Sequence, residues 1–115
     1  MFRAMQLAAR YRLEAETDWY EGNNKNYRNR RHLAGEIMKA LGCTYDEKQV
    51  GMFLWGKIPA SCKDVEELTE KVLHEARVFI TPGFIFGSNG ARYIRISLCC
   101  KDNKLAEALE RIKRI

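Results

Sequence analysis

The sequence predicts an α+β fold, a small mixed or antiparallel sheet of about three strands with helices packed on one face. Long segments with helical apolar spacing are separated by a few short strand-like runs, in the order α, α, β, α, β, β, α. Few strands and long helices bury their apolar sides most economically as two layers. At 115 residues, with 46% hydrophobic and 30% charged residues, the chain has the size and composition of one globular domain.

Two helices are predicted in the N-terminal part of the chain. Residues 2–16 carry two apolar stripes at helical spacing, so this helix is expected to be covered on both sides. Turn-forming residues in "DWYEGNNKN", residues 18–26, predict a break. A second helix is expected at 27–41, with Gly42 at its C-terminal stop.

The middle of the chain alternates strands and a helix. A strand is predicted at 50–58, and a helix lies within 61–77, begun by a capping box of Asp64 and Glu67. A short strand at 78–80 leads into "TPGF", residues 81–84. There Pro82 and Gly83 favour a type II turn, because proline presets φ and glycine accepts a positive φ.

The C-terminal part contains a Gly-rich loop, a strand and a helix. The loop "FGSNGA", residues 86–91, is expected to be mobile, and residues 92–99 read as the third strand. Asp102 is the predicted N-cap of a last helix. The apolar stripe of that helix is Leu105, Ala108, Leu109, Ile112 and Ile115.

Arg95 stands in the middle of this third strand. Because alternate strand residues face opposite ways, Ile94 and Ile96 are expected under the helices, whereas Tyr93, Arg95 and Ser97 share the uncovered face. A guanidinium beside a phenol and a hydroxyl suits a small carboxylate or phosphate. The pattern equally admits a plain surface arginine, and Arg92 reads as a surface residue at the strand edge.

The net charge of +5 is concentrated in "NNKNYRNRRH", residues 23–32. No fold signature of a nucleic-acid module accompanies this cluster. A solvated helix face, or a surface that meets acidic groups on another domain, is therefore the preferred interpretation. The alternative is a basic α+β module that binds RNA or a nucleotide. Its binding residues would be Lys25, Arg28, Arg30, Arg31 and Arg95.

Four cysteines, Cys43, Cys62, Cys99 and Cys100, show no metal-binding spacing. They indicate unpaired thiols of a cytoplasmic protein, with no metal site. No stretch is apolar enough to span a bilayer, and the N-terminus does not resemble a signal peptide.

The string "VFITPGFIFGSNGARYIRIS", residues 78–97, followed by "KLAEALERI", resembles the C-terminal end of pyridoxal-phosphate (PLP) aminotransferases of the aspartate aminotransferase type. The strings "YRNRRHLAGEIMKALG" and "GMFLW" resemble upstream parts of that family. The resemblance places Arg95 on the arginine that binds the substrate α-carboxylate. Gly83, Phe86 and Gly87 match the same motif and are expected to shape the loop near the cleft.

The resemblance implies the small C-terminal domain of a class I/II aminotransferase. Residues 1–26 would be an interdomain helix and linker, and 27–115 the small domain. The Schiff-base lysine and the phosphate-binding site of the family lie in a large domain that this sequence lacks. The parent would be a homodimer that transfers an amino group between an amino acid and a 2-oxo acid. The chain alone is expected to bind no cofactor and to be inactive, with no catalytic residue of its own.

A third hypothesis is a small amino-acid-sensing module that binds carboxylates through Arg95 unaided. Neither a nucleic acid nor a membrane is the expected partner. Salt-dependent nucleic-acid affinity would favour the basic module. Calorimetry with amino and 2-oxo acids would identify the sensor.

Overall fold

The computed structural model describes residues 2–115. Within these residues, four helices and four short strands follow one another. They are α1 (Arg3–Leu13), α2 (Thr17–Ala40), β1 (Thr44–Tyr45), β2 (Phe53–Lys57), α3 (Val65–Ala76), β3 (Thr81–Pro82), β4 (Tyr93–Ser97) and α4 (Asp102–Lys113). Two short 3-10 segments, Gly83–Phe86 and Ser88–Gly90, lie between β3 and β4. No helix in this part of the chain has the length and apolarity to cross a membrane.

The strands form one antiparallel sheet in the order β1-β2-β4-β3. The α+β prediction is confirmed, with four strands instead of about three. The additional strand is β1, whose two residues are too few to show a period of two in the sequence. The observed β2 and β4 are shorter than predicted, since Val50 is exposed outside the sheet and β4 ends at Ser97.

The hydrophobic core lies between one face of the sheet and helices α2, α3 and α4. Leu54 of β2 and Ile94 of β4 are fully buried there, as is Met38 of α2. Each such side chain contributes roughly 1.5–3 kcal/mol by leaving water. The other buried apolar side chains include Ile37, Val65, Val72, Ile80, Ile96, Leu98, Leu105, Leu109 and Ile112. The predicted stripe of α4 faces the core at Leu105, Leu109 and Ile112, whereas Ile115 is 43% exposed and lies beyond the end of the helix.

The break predicted at residues 18–26 is wrong. The chain leaves α1 after Leu13 and begins α2 at Thr17, so the asparagines and Gly22 lie inside a helix. The break lies instead between Leu13 and Thr17, where the ends of α1 and α2 contact each other. The Arg12 guanidinium lies 3.2 Å from the centroid of the Trp19 ring, and the Tyr20 hydroxyl donates to the Arg12 carbonyl. The helical cost of the glycine, about 1 kcal/mol, is outweighed over the length of α2.

The predicted stop of α2 and the cap of α3 are confirmed. Gly42 has a φ of 75°, and the Gly42 and Cys43 amides donate to the carbonyls of Lys39 and Met38 in a Schellman motif. The Asp64 carboxylate accepts from the Glu67 amide at 2.8 Å. The return bond of the capping box runs from the Lys63 amide to the Glu67 carboxylate.

Three predictions near the C-terminus are wrong. Residues 78–80 are not a strand, and the strand that follows is β3. Gly83 does not have a positive φ and begins a 3-10 segment, so no type II turn forms. Lys101 is the N-cap of α4, because the Asp102 carboxylate is engaged by Arg30 instead of the helix terminus.

Helix α1 contains no buried residue within the described chain. Tyr11 and Leu13 are 79% and 80% exposed, and Phe2, Met5 and Leu7 are exposed as well. The prediction that both apolar stripes are covered therefore requires a partner outside residues 2–115.

Candidate functional site

The face of the sheet opposite the core carries Arg95. The β4 residues alternate as predicted, with Ile94 and Ile96 buried and Arg95 on the other side. In the sheet register, Arg95 lies opposite Trp55 of β2 and Thr81 of β3. Antiparallel neighbours opposite each other project to the same face. The sheet therefore surrounds the arginine with an indole ring and a hydroxyl.

Two phenylalanine rings hold the guanidinium. The Arg95 Cζ atom lies 4.2 Å from the ring centroid of Phe53 and 4.4 Å from that of Phe86. Each ring presents its π face to the cation and offers no conventional hydrogen-bond acceptor. The rings therefore fix the side chain without consuming its hydrogen-bond donors.

The Arg95 Nε atom is buried and has no hydrogen-bond partner among residues 2–115. Arg95 also forms no ion pair within that part of the chain. A buried donor without an acceptor is costly, by about 1–3 kcal/mol and more for a charged group. The geometry is suited to an external anion with two oxygens, which can receive parallel bonds from a guanidinium.

Further aromatic contacts position Phe86. The Trp55 ring packs edge-on against Phe86, with centroids 6.2 Å apart, and stacks on Tyr93 at 5.4 Å. The Trp55 backbone is held in turn by the Gln49 side chain, which accepts from the Trp55 amide and donates to its carbonyl. The guanidinium is thus supported by a continuous aromatic layer.

The loop that carries Phe86 depends on two glycines that touch. A Cβ atom added to Gly83 would lie 2.4 Å from the Gly90 carbonyl oxygen. One added to Gly90 would lie 2.1 Å from the Gly83 carbonyl oxygen. Such distances are far below van der Waals contact, so glycine is required at both positions by space. Gly87, with a φ of 129°, is required by backbone conformation.

Phe53 and Phe86 were not predicted as partners of Arg95. Phe53 belongs to a different strand, and its side of the sheet becomes known only from the pairing of Phe53 with Ser97. Phe86 was assigned to shaping the loop, and a sequence pattern gives no sign of which ring in "GFIF" turns toward the arginine.

Part of the predicted basic cluster is used inside the chain. The Arg30 side chain donates to the Asp102 carboxylate at 2.9 Å and to the Leu98 carbonyl at 3.1 Å. Arg31 donates to the Gly51 carbonyl. These two arginines tie α2 to the segments at the ends of β2 and β4. Lys25, Arg28 and His32 remain exposed.

Arg92 is a structural residue instead of the surface residue predicted. Its guanidinium donates to the backbone carbonyls of Pro59, Cys62 and Lys63, at 2.9, 3.1 and 3.1 Å. It fixes the loop between β2 and α3. Arg92 therefore stabilises the fold, whereas Arg95 belongs to the candidate site.

The four cysteines are unpaired in the described chain. Burial, together with the neighbouring Cys62, raises the pKa of the Cys43 thiol to about 11. Within residues 2–115, no three His, Cys, Asp or Glu side chains come together as a metal site.

The residues that the structure describes do not form a PLP-binding site by themselves. A Schiff base requires a lysine amine held against the cofactor aldehyde, with further groups on the phosphate and on the pyridine nitrogen. Every lysine of the chain is exposed. The Arg95 face offers aromatic rings and an unpaired cation instead.

The chain matches the family model "Aminotransferase class I and II" over residues 2–112. It is 34% identical, over 98% of its length, to an LL-diaminopimelate aminotransferase from Desulforudis audaxviator. It is 31% identical, over its whole length, to transaminase BacF from Bacillus subtilis. A solved Pyrococcus structure, "protein-A1", superposes on 95% of this chain with a TM-score of 0.79 at 32% identity.

In all three comparisons, the chain spans about 29% of the length of the protein it matches. The resemblance in residues 78–97 is thus part of a match along almost the entire chain. The chain belongs to the class I and II aminotransferases.

Proposed function

We propose that this chain supplies the carboxylate-binding arginine of a PLP-dependent aminotransferase. In this proposal, Arg95 binds the α-carboxylate of an amino acid or 2-oxo acid. The observation that carries it is the Arg95 guanidinium, held by Phe53 and Phe86, with a buried Nε donor unpaired among residues 2–115. The family match supports the same assignment.

The role of Arg95 is to position the substrate. A bidentate pair fixes both the location and the plane of the carboxylate, and so limits the rotation of the attached Cα. Phe53 and Phe86 would shield the guanidinium from water, which would strengthen the ion pair. PLP, held by groups outside the described residues, would act as the electron sink for amino-group transfer between an amino acid and a 2-oxo acid.

In this proposal, residues 27–115 form the small domain, and residues 1–26 connect it to the rest of the enzyme as an interdomain helix and linker, with 17–26 continuous with α2. Tyr27 is the first residue of α2 that packs against the core. Tyr11 and Leu13 of the exposed helix α1 would pack against a cofactor-binding domain. The assembled enzyme would be a cytoplasmic homodimer, in keeping with four free thiols in the described chain.

Carboxylate binding can be measured on the chain itself by NMR titration with pyruvate, observing the arginine side-chain N–H signals. We expect a Kd in the millimolar range, because only one wall of the site is present. Arg95→Gln should abolish the response, and Arg95→Lys should weaken binding about fivefold through loss of the second hydrogen bond. Arg28→Gln, an exposed arginine of the basic cluster, is the matched control and should bind normally.

Three results would overturn the proposal. The first is pyruvate binding that survives Arg95→Gln, and the second is no response of Arg95 at high millimolar pyruvate. The third is micromolar affinity of the chain alone, which would indicate an amino-acid sensor. Incubated with PLP, an amino acid and a 2-oxo acid, the chain alone should form no transamination product.

A further inference from the structure

A cavity of about 440 Å³ lies between helix α2 and the segment that precedes β2. Residues 50–52 line one side, and the helix side carries Asn23, Asn24, Arg28 and Arg31. A helix returns to the same face after three or four residues, so the last three of these stand in one row. The volume lies in the range of small-molecule sites. The lining includes none of the rings around Arg95, so this cavity is separate from the candidate carboxylate site.

The two arginines of the cavity have no counter-ion in the described chain. Arg28 is exposed and forms no hydrogen bond or ion pair with residues 2–115, and no carboxylate lines the cavity. An adjoining hollow contains Glu47 together with Arg28 and Arg31, yet within the described chain Glu47 pairs with neither. Like charges on neighbouring positions of a helix face repel each other. An anion between the two guanidinium groups would remove that repulsion.

The Arg31 side chain is already held in place. Arg31 is half-buried, and its Nη2 group donates to the Gly51 carbonyl at 2.7 Å, which ties it to the opposite side of the cavity. Its Nε atom is buried and has no hydrogen-bond partner among residues 2–115. The neighbouring Arg30, by contrast, is neutralised by the Asp102 carboxylate. Arg31 therefore offers a fixed guanidinium whose charge is not compensated by any described residue.

The other lining residues add apolar surface and further donors. Val50 is 84% exposed and Met52 is 50% exposed. The side-chain amides of Asn23 and Asn24 can donate hydrogen bonds to an oxyanion. Cations and amides beside exposed apolar side chains suit a ligand with an anionic end and an organic body.

We propose that this cavity binds a small phosphomonoester, with the phosphate between Arg28 and Arg31 and the organic part against Val50 and Met52. A phosphomonoester carries about two negative charges at neutral pH, whereas a carboxylate carries one. The phosphate therefore matches the two uncompensated guanidinium groups, whose planar forks can each bind two of its oxygens. Binding at this cavity does not require Arg95.

The test compares phenyl phosphate with phenylacetate, which share a phenyl ring and differ in the anionic group. Both are titrated into the ¹⁵N-labelled chain in phosphate-free buffer at about 0.1 M salt. Kd is measured from the amide shifts of Arg28, Arg31 and Gly51. We expect phenyl phosphate to bind about fivefold more tightly, as one additional partly exposed ion pair allows. Inorganic phosphate should bind more weakly than phenyl phosphate, because it has no part that contacts Val50 and Met52.

The decisive variant is Arg28→Gln, because this exposed side chain has no partner within residues 2–115 and its loss leaves the core intact. It should weaken phenyl phosphate binding about fivefold and leave the pyruvate response of Arg95 unchanged. Arg31→Lys keeps the charge but loses the planar fork, and should weaken phenyl phosphate binding by a smaller factor. Lys25→Gln is the matched control, because Lys25 is an exposed cation of the same helix that does not line the cavity. It should change Kd by less than about twofold.

Equal affinity for phenyl phosphate and phenylacetate, or phenyl phosphate binding that Arg28→Gln leaves intact, overturns the proposal. An equal loss of affinity in Lys25→Gln and Arg28→Gln also overturns it, because the binding would then follow the diffuse charge of α2. Inorganic phosphate that binds as tightly as phenyl phosphate would show a site for a bare ion. A single strand of about ten nucleotides is the last competitor. If it displaces phenyl phosphate at an equal concentration of phosphate groups, the cavity serves a nucleic acid and the small ligand is wrong.

Discussion

Replacement of Gly90 by alanine should destabilise the fold and the Arg95 site together. The new Cβ would lie 2.1 Å from the Gly83 carbonyl oxygen, about 1.2 Å closer than an ordinary carbon–oxygen contact. The obstacle is backbone and cannot rotate away, so the loop must shift. Overpacking of this kind costs about 1–3 kcal/mol. The shift would also move Phe86 off the guanidinium.

Gly22→Ala is the matched control, because a Cβ atom there meets nothing within 4 Å and the residue lies inside α2. This substitution should be neutral or stabilising by up to about 1 kcal/mol. Urea denaturation measures both variants, and the midpoint of Gly90→Ala should fall by about 1–2 M. Equal midpoints for Gly90→Ala and the wild-type chain would refute the argument that Gly83 and Gly90 are required by space.

Three further predictions concern residues at or near the site. Arg92→Met should lower the free energy of unfolding by about 2–3 kcal/mol, measured by urea denaturation, since three backbone carbonyls lose a charged donor. Arg92→Lys should lower it by less. Phe53→Leu should weaken pyruvate binding about two- to fivefold through loss of one cation–π contact, measured by the NMR titration. The folded Cys43 thiol has its pKa raised from 9.0 to about 11. Stability should therefore fall above pH 9, by about 1.4 kcal/mol per pH unit until about pH 11, as the unfolded thiol ionises. In the Cys43→Ala variant, the free energy of unfolding, measured by denaturation at pH 8 and about pH 10, should not include this loss.

The side of the sheet on which Arg95 lies could be predicted because strand geometry fixes it. In β4, once Ile94 and Ile96 are assigned to the core, the residue between them must face the other way. The ends of α2 and α3 were predictable for a similar reason. Gly42 and the Asp64 carboxylate act on backbone groups within a few residues, so the sequence contains all the participants.

Predictions failed where distant residues decide the local conformation. The pair Pro82–Gly83 has the composition of a type II turn, yet Gly83 is needed for its approach to Gly90 and Tyr93, with no positive φ. Asp102 has the chemistry of an N-cap, but Arg30 of α2 engages its carboxylate. In each case the competing contact comes from another element, and local propensity cannot reveal it.

The way Arg95 is held has a consequence for binding. A carboxylate partner within the chain would also fix the guanidinium, but it would neutralise the charge and have to be displaced by each substrate. The rings of Phe53 and Phe86 contact the guanidinium and leave the charge uncompensated by any described residue. In the proposed site, the folded chain bears the energetic cost of the unpaired donor, and a bound carboxylate would relieve it. Aromatic support would then convert part of the folding free energy into affinity for an anion, which a salt bridge at the same place could not do.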